Sequence, residues 1–262
     1  MKAEFLSKII EHKNKEVAEA KKIRPERLLR ESAIVSGKKR SFFQRLSQPG
    51  PLGANIIAEI KRASPSKGLL CPDLDPALYA SNYEKGGAAA LSVLTDVKYF
   101  KGSEADLQAA KNAATLPVLR KDFLISAYQL YESAAMGADA ILLIVRILSG
   151  RQLKDYLDLS KELNLDALVE IHSETDLEKA SLSGAKLIGI NNRNLSSFET
   201  SIDTAIRMAP LLDSDQIAVA ASGIRTREDI NQNKEAGIWN FLIGESLVKA
   251  DDPGLLIKQL LE

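Results

Sequence analysis

From about Asn55 onward, short apolar runs alternate with amphipathic stretches of helical period, eight of each, and nothing else in the chain restricts its fold as strongly. The strand candidates are residues 56–60, 89–93, 117–119, 140–144, 167–171, 187–190, 217–220 and 240–243. Helix candidates fill the gaps at 76–86, 103–114, 126–136, 149–163, 173–182, 200–209, 226–235 and 252–261. Ser103, Ser173 and Asp203 supply N-cap or first-turn chemistry, and Gly86-Gly87, Gly137-Ala138, Gly184-Ala185 and Gly237-Ile238 suit helix ends leading into strands. Strand–helix alternation implies an α/β protein with a parallel sheet. Eight strands with none to spare make a closed (β/α)8 TIM barrel the simplest solution. An open doubly wound sheet is the alternative, but it usually has fewer strands and leaves edges. A chain of 262 residues with 45% apolar content fits one such barrel.

Residues 1–47 break this alternation. Phe5, Ile9, Ile10, Val17 and Ala20 recur at roughly helical spacing, and Pro25 suits the first turn of a second helix from Glu26 to about Glu31. Phe42, Phe43 and Leu46 make a third short apolar segment. So short a stretch would have little core alone. The expectation is one domain over 1–262, with 1–47 a helical extension packed on the barrel.

Lys plus Arg and Asp plus Glu are both 35, so no basic excess draws the chain to nucleic acid or a membrane surface. Cys71 stands alone, excluding an intrachain disulfide and a cysteine metal cluster, and no apolar run is long enough to span a bilayer. A cytoplasmic protein is expected, and a monomer is the working expectation. His12 and His172 are far apart and lack metal-ligand spacing, so no metal is expected and proton transfer falls mainly to Glu, Asp or Lys.

In a barrel of this kind, charged side chains pointing inward belong at the C-terminal rim of the strands, where active sites lie. Glu59 and Lys61 share a face of the first strand by its period of two. A stabilising ion pair is the plainer reading, but a buried pair is costly without a role. The polar loop Arg62–Gly68, with Ser64 and Pro65, suits a segment that covers a substrate. Lys121 shares a face with Leu119, and Glu170 interrupts an apolar run; in one pocket the two would form an acid/base set. His172 reads as a helix-start or surface group. Asn191 and Arg193 end the sixth strand and suit an anionic ligand, whereas Asn192 and Asn194 read as turn and capping residues. Ser222-Gly223 and Gly244-Glu245 end the seventh and eighth strands, where such barrels commonly bind phosphate.

The motifs Ile57-Ala-Glu-Ile-Lys-Arg-Ala-Ser-Pro-Ser-Lys-Gly68, Leu91-Ser-Val-Leu-Thr-Asp96 with Tyr99-Phe100, Leu119-Arg-Lys-Asp-Phe123, Val169-Glu-Ile171, Ile188-Gly-Ile-Asn-Asn-Arg193, Ser222-Gly-Ile224 and Phe241-Leu-Ile-Gly-Glu-Ser-Leu247 resemble those of the indole-3-glycerol phosphate synthase family. The first and third are highly specific, and the likeness runs over nearly the whole chain, including Lys8-Ile-Ile and Lys15-Glu-Val-Ala in the extension. The resemblance implies a small phosphorylated substrate, 1-(2-carboxyphenylamino)-1-deoxyribulose 5-phosphate, converted to indole-3-glycerol phosphate, carbon dioxide and water without metal or organic cofactor. It implies Lys121 as general acid, Glu170 as the proton carrier in dehydration, Lys61 as partner or alternative acid, and Glu59 as the group tuning the lysines. Asn191 and Arg193 would hold the substrate and stabilise charge at the reacting centre, and Ser222, Gly223, Gly244 and Glu245 the phosphate, with Ser64 and Lys61 nearby. Phe100, Phe123, Pro65, Leu142, Leu195 and Leu242 would line the slot for the aromatic ring, although Leu142 and Leu242 serve equally well as plain core.

One departure stands out. The family usually carries Glu-Ser-Gly where this chain has Ala221-Ser222-Gly223, so one carboxylate is missing and retained but reduced activity is expected. Competing readings are another phosphate-binding barrel enzyme, including an isomerase or a Schiff-base aldolase on Lys121, and a barrel that has lost catalysis. The isomerisation typically wants a cysteine–aspartate pair, and Cys71 sits in a loop after the first strand. Ala221 alone supports lost catalysis.

Overall fold

Eight parallel strands close on themselves in a computed structural model that describes residues 3–35, 39–194 and 199–262. They are β1 (Asn55–Ile60), β2 (Ala90–Leu94), β3 (Val118–Lys121), β4 (Ala140–Ile144), β5 (Asp166–Ile171), β6 (Leu187–Asn191), β7 (Ile217–Ala221) and β8 (Asn240–Ile243). Each pairs in parallel with its sequence neighbours, and β1 pairs with β8 to complete the ring.

The extension supplies α1 (Ala3–Ile23), α2 (Glu26–Val35) and α3 (Phe42–Leu46). The helices between and after the strands are α4 (Pro76–Gly86), α5 (Val97–Phe100), α6 (Glu104–Ala113), α7 (Ala127–Ala135), α8 (Gly150–Glu162), α9 (Glu174–Leu182), α10 (Asp203–Met208), α11 (Arg227–Glu235), α12 (Glu245–Val248) and α13 (Pro253–Leu261). Local chemistry sets their ends. Before α4, Asp75 accepts from the N–H groups of Ala77 and Leu78 while Pro76 takes the first helical position, where no N–H is missed. After α4, Gly87 turns left-handed at φ 94° and returns its N–H to the last carbonyls, a conformation that costs any residue with a Cβ. Gly137, Gly184 and Gly237 repeat the left-handed turn ahead of β4, β6 and β8.

Strand parity sorts side chains as expected. Ile56, Ala58 and Ile60 join the core between sheet and helices, while Ile57 joins the inner core with Leu119, Leu142, Leu168, Val219 and Leu242. Phe42 and Leu46 of α3 belong to that inner cluster and are fully buried, so the extension fills the end of the barrel where the strands begin.

The departures from the sequence-based limits are local. β3 runs on through Arg120 and Lys121, because ladder hydrogen bonds are blind to charge and the Lys121 carbonyl accepts from Thr95 N–H at 3.2 Å. β6 and β7 likewise take in Asn191 and Ala221. α2 continues to Val35, since Ser32 returns its hydroxyl to the Leu28 carbonyl instead of ending the helix. The stretch 200–209 is helical as α10 only over Asp203–Met208 and then tightens into a short 3₁₀ turn around Pro210. A two-residue hairpin, Ala63–Ser64 against Gly68–Leu69, folds within the loop after β1.

Candidate active site

The inward face of β1 carries Glu59 to the rim, 4% exposed, and the chain turns so that Lys61 follows it. Lys61 Nζ donates to Glu59 Oε1 at 2.5 Å, and Lys121 Nζ, from the end of β3, stands 3.8 Å from Oε2. Burial alone would raise the Glu59 carboxyl. The two ammonium groups and the Lys61 hydrogen bond outweigh it, with help from Arg193, and hold the acid below the usual carboxylate range. Glu59 is thus a fixed anion that holds two cations in a common space.

Across the barrel mouth, Glu170 lies one residue before the end of β5, beside Gly189 of β6, and is 5% exposed. Asn191, two residues beyond Gly189, accepts the Arg193 N–H on Oδ1 at 3.0 Å, and the Arg193 guanidinium donates to Ser66 Oγ at 3.3 Å. The loop after β1 is thereby joined to the end of β6. Asn192 caps, as expected: its amide donates to the Ser222 carbonyl and its Oδ1 accepts from Ala205 N–H, both at 2.9 Å.

At the ends of β7 and β8 the backbone approaches the site closely. Ser222 sits at φ 66°, a left-handed conformation that costs a non-glycine residue and concentrates at functional sites. Gly244 leaves open the space where a Cβ would meet the Glu59 carboxylate and lie 2.9 Å from Lys61 Nζ. Glu245 turns to Lys249, whose ammonium donates at 2.8 Å, and this bond holds its carboxyl below the ordinary range.

These strand ends surround a cavity of about 680 Å³. Glu59, Lys61, Ser64, Pro65, Phe100, Lys121, Phe123, Leu142, Glu170, Asn191, Arg193, Ser222, Gly223, Leu242, Gly244 and Glu245 all line it. Phe100 and Phe123 lie with ring centroids 6.2 Å apart, tilted at 42°, a spacing typical of attractive aromatic pairs. Leu195 lies outside the described residues. Among the described residues, no group of three or more His, Cys, Asp and Glu side chains is arranged to hold a metal ion.

Several lining residues went unread in the sequence. Leu6, Ser7, Ile9 and Ile10 of α1 form one wall, so the extension faces the cavity as well as the barrel. Arg146, Arg225 and Lys249 add positive charge to the rim. A signal for α1 existed: Leu6, Ile9, Ile10 and Lys13 follow the i, i+3, i+4, i+7 spacing of one helix face. Lys13 on that face is wholly buried, with Nζ 2.9 Å from Asp96 and 2.8 Å from Asp122. Burial would release its proton, but the two carboxylates reverse this and raise its affinity. His172 corrects the surface reading. It does precede the N-cap of α9, but its side chain is 3% exposed, packed behind Glu170.

Comparison with known proteins adds an independent line. Residues 6–260 match the model of a family described as indole-3-glycerol phosphate synthase. The chain is 55% identical over 260 residues to the protein of that name from Desulfosudis oleivorans, covering 99% of both chains. It is 50% identical over 258 residues to that of Syntrophobacter fumaroxidans, covering 98% of this chain and 97% of the other. Among solved structures, 3-hexulose-6-phosphate synthase from Salmonella typhimurium superposes with TM-score 0.63 at 11% identity, over 79% of this chain and 96% of the other. Thiamine phosphate pyrophosphorylase from Pyrococcus furiosus gives 0.60 at 13%, over 83% and 95%. At such identities these two likenesses speak for the barrel alone.

Proposed function

The chain belongs to the indole-3-glycerol phosphate synthase family, and from that premise we propose how its cavity divides the work of ring closure, decarboxylation and dehydration. The enzyme converts 1-(2-carboxyphenylamino)-1-deoxyribulose 5-phosphate to indole-3-glycerol phosphate. The aromatic carbon bearing the carboxylate attacks the ribulose carbonyl, whose π pair goes to oxygen and takes up a proton. The bond to the carboxylate breaks, and its electron pair restores the aromatic ring as carbon dioxide leaves. The new hydroxyl then departs as water with a second proton, while the neighbouring methylene gives one up.

Lys121 supplies the first proton in this reading, and Glu170 moves the proton of dehydration, with Lys61 as partner or alternative acid. One observation carries the assignment: buried Glu59 bonds Lys61 and lies 3.8 Å from Lys121 in a cavity that Glu170 also lines. A positioned proton donor is worth about 10²–10⁴ in rate. Asn191 and Arg193 hold the substrate's polar groups. Ser222, Gly223, Gly244 and Glu245 offer backbone contacts to the phosphate, with Ser64 nearby. Phe100, Phe123, Pro65, Leu142, Leu195 and Leu242 take the aromatic ring. We read 1–262 as one domain, since Phe42 and Leu46 fill the barrel interior. We take the free substrate to be met in the cytoplasm by a monomer.

The test is to supply the substrate and follow indole fluorescence. Lys121→Ala and Glu170→Gln should each lower kcat at least about a hundredfold. Wild-type turnover in both would overturn the assignment.

A further inference from the structure

His172 follows β5 by one residue and shares the face of Glu170 two positions earlier. Its Nε2 lies 3.6 Å from Glu170 Oε1, just beyond hydrogen-bond length, and neither ring nitrogen is hydrogen-bonded among the described residues. Buried polar groups are ordinarily satisfied, so an imidazole left open beside a carboxylate calls for a reason. The backbone is fixed: His172 N–H donates to Asp176 Oδ2 at 2.9 Å, and that oxygen also takes Arg146 Nε at 3.0 Å. Only the ring remains to adjust. His172 does not itself line the cavity, whereas Glu170 does, so any influence on the reaction must pass through Glu170.

We propose that His172 is a positioning residue for Glu170: its neutral imidazole closes on the carboxylate during turnover, offers it an N–H and holds it toward the cavity. The proposal rests on the proton-carrying role given to Glu170 above. The groups facing the ring are Glu170 on its own strand, Arg146 from the turn after β4, Asp176 from α9 and Lys121 from β3. Burial is the largest influence and lowers the imidazole's proton affinity, with Arg146 and Lys121 acting the same way against Glu170 and Asp176. A neutral ring still has one N–H to donate and one nitrogen to accept. Donated to Glu170, that N–H stabilises the carboxylate left when the acid gives up its proton, and lowers the barrier to giving it up.

The test combines carboxyl NMR with kinetics. Glutamate is labelled with ¹³C at the carboxyl, and the Glu170 resonance is identified by its loss in Glu170→Gln. In His172→Leu the Glu170 carboxyl resonance should move and kcat fall about tenfold, with KM changed less than about twofold. His172→Gln, whose amide N–H can take the place of Nε2, should restore both. Should the leucine variant not fold, His172→Met carries the same expectation. An unmoved resonance, or wild-type kcat, in the apolar variant overturns the role of His172. If Glu170→Gln is inactive in that case, the reading of Glu170 stands. Wild-type turnover in Glu170→Gln removes that reading and this inference together.

Discussion

At the scale of single residues, the chemistry of the mouth is a matter of unlike charges held close. Glu59 is buried yet ionised because two lysines face it, and each lysine is kept near the reacting space because Glu59 cannot move. Ala221 is the exception within this charged ring. It pairs with Asn191, is buried and lines the cavity with a methyl where the family resemblance implies a carboxylate. Replacing it should matter to rate more than to folding, because the position, at the edge of the inner apolar cluster, also opens on the cavity. Ala221→Glu is expected to raise kcat/KM about three- to tenfold, the size of one additional hydrogen bond to the substrate in the transition state. An unchanged kcat/KM would show that nothing is lost by the alanine.

At the scale of elements, Lys13 ties the extension to the site through charge. Lys13 reaches from α1 to Asp96, which caps α5, and to Asp122, which follows Lys121. Asp122 in turn accepts from Thr95 at 2.7 Å and pairs with Arg120 at 3.2 Å. Removing the ammonium leaves two buried carboxylates short of a cation. Lys13→Met should therefore cost about 3–5 kcal/mol in urea unfolding, the usual loss on breaking a buried ion pair. A loss under about 1 kcal/mol would mean that the pair is dispensable. Much at this scale is legible in the sequence. The eight strands and their order follow from apolar runs, and the charged rim follows from parity, as Glu59, Lys61, Lys121 and Glu170 show. The wall made by α1 is not, because Leu6, Ile9 and Ile10 look like any buried helix face, and only tertiary docking decides what they face. His172 hides for a similar reason: a polar residue just past a strand is as often exposed, and nothing in the local pattern marks its side chain as buried.

At the scale of the whole molecule, stability and acidity are linked. Asp122, like Glu59, is fully enclosed; burial pushes its carboxyl up, but Arg120, Lys13 and Thr95 bring it below the usual range. A carboxyl whose folded affinity for protons is below its unfolded one stabilises the fold above the unfolded pKa. That stabilisation fades as pH falls through the folded value. The urea midpoint should hold steady near neutrality and drop once pH falls below about 4. A midpoint as high at pH 3 as at pH 7 would contradict the sign derived for both groups.

The seal that Phe42 and Leu46 place at the far end of the barrel has a bearing on traffic. Among the described residues, that seal leaves the rim cavity as the way in, and what enters there leaves past the same phenylalanines and glycines. Carbon dioxide and water are small enough to slip out beside a bound indole. The indole phosphate is not, so it occupies the threshold until it goes, and a waiting substrate molecule can only queue behind it.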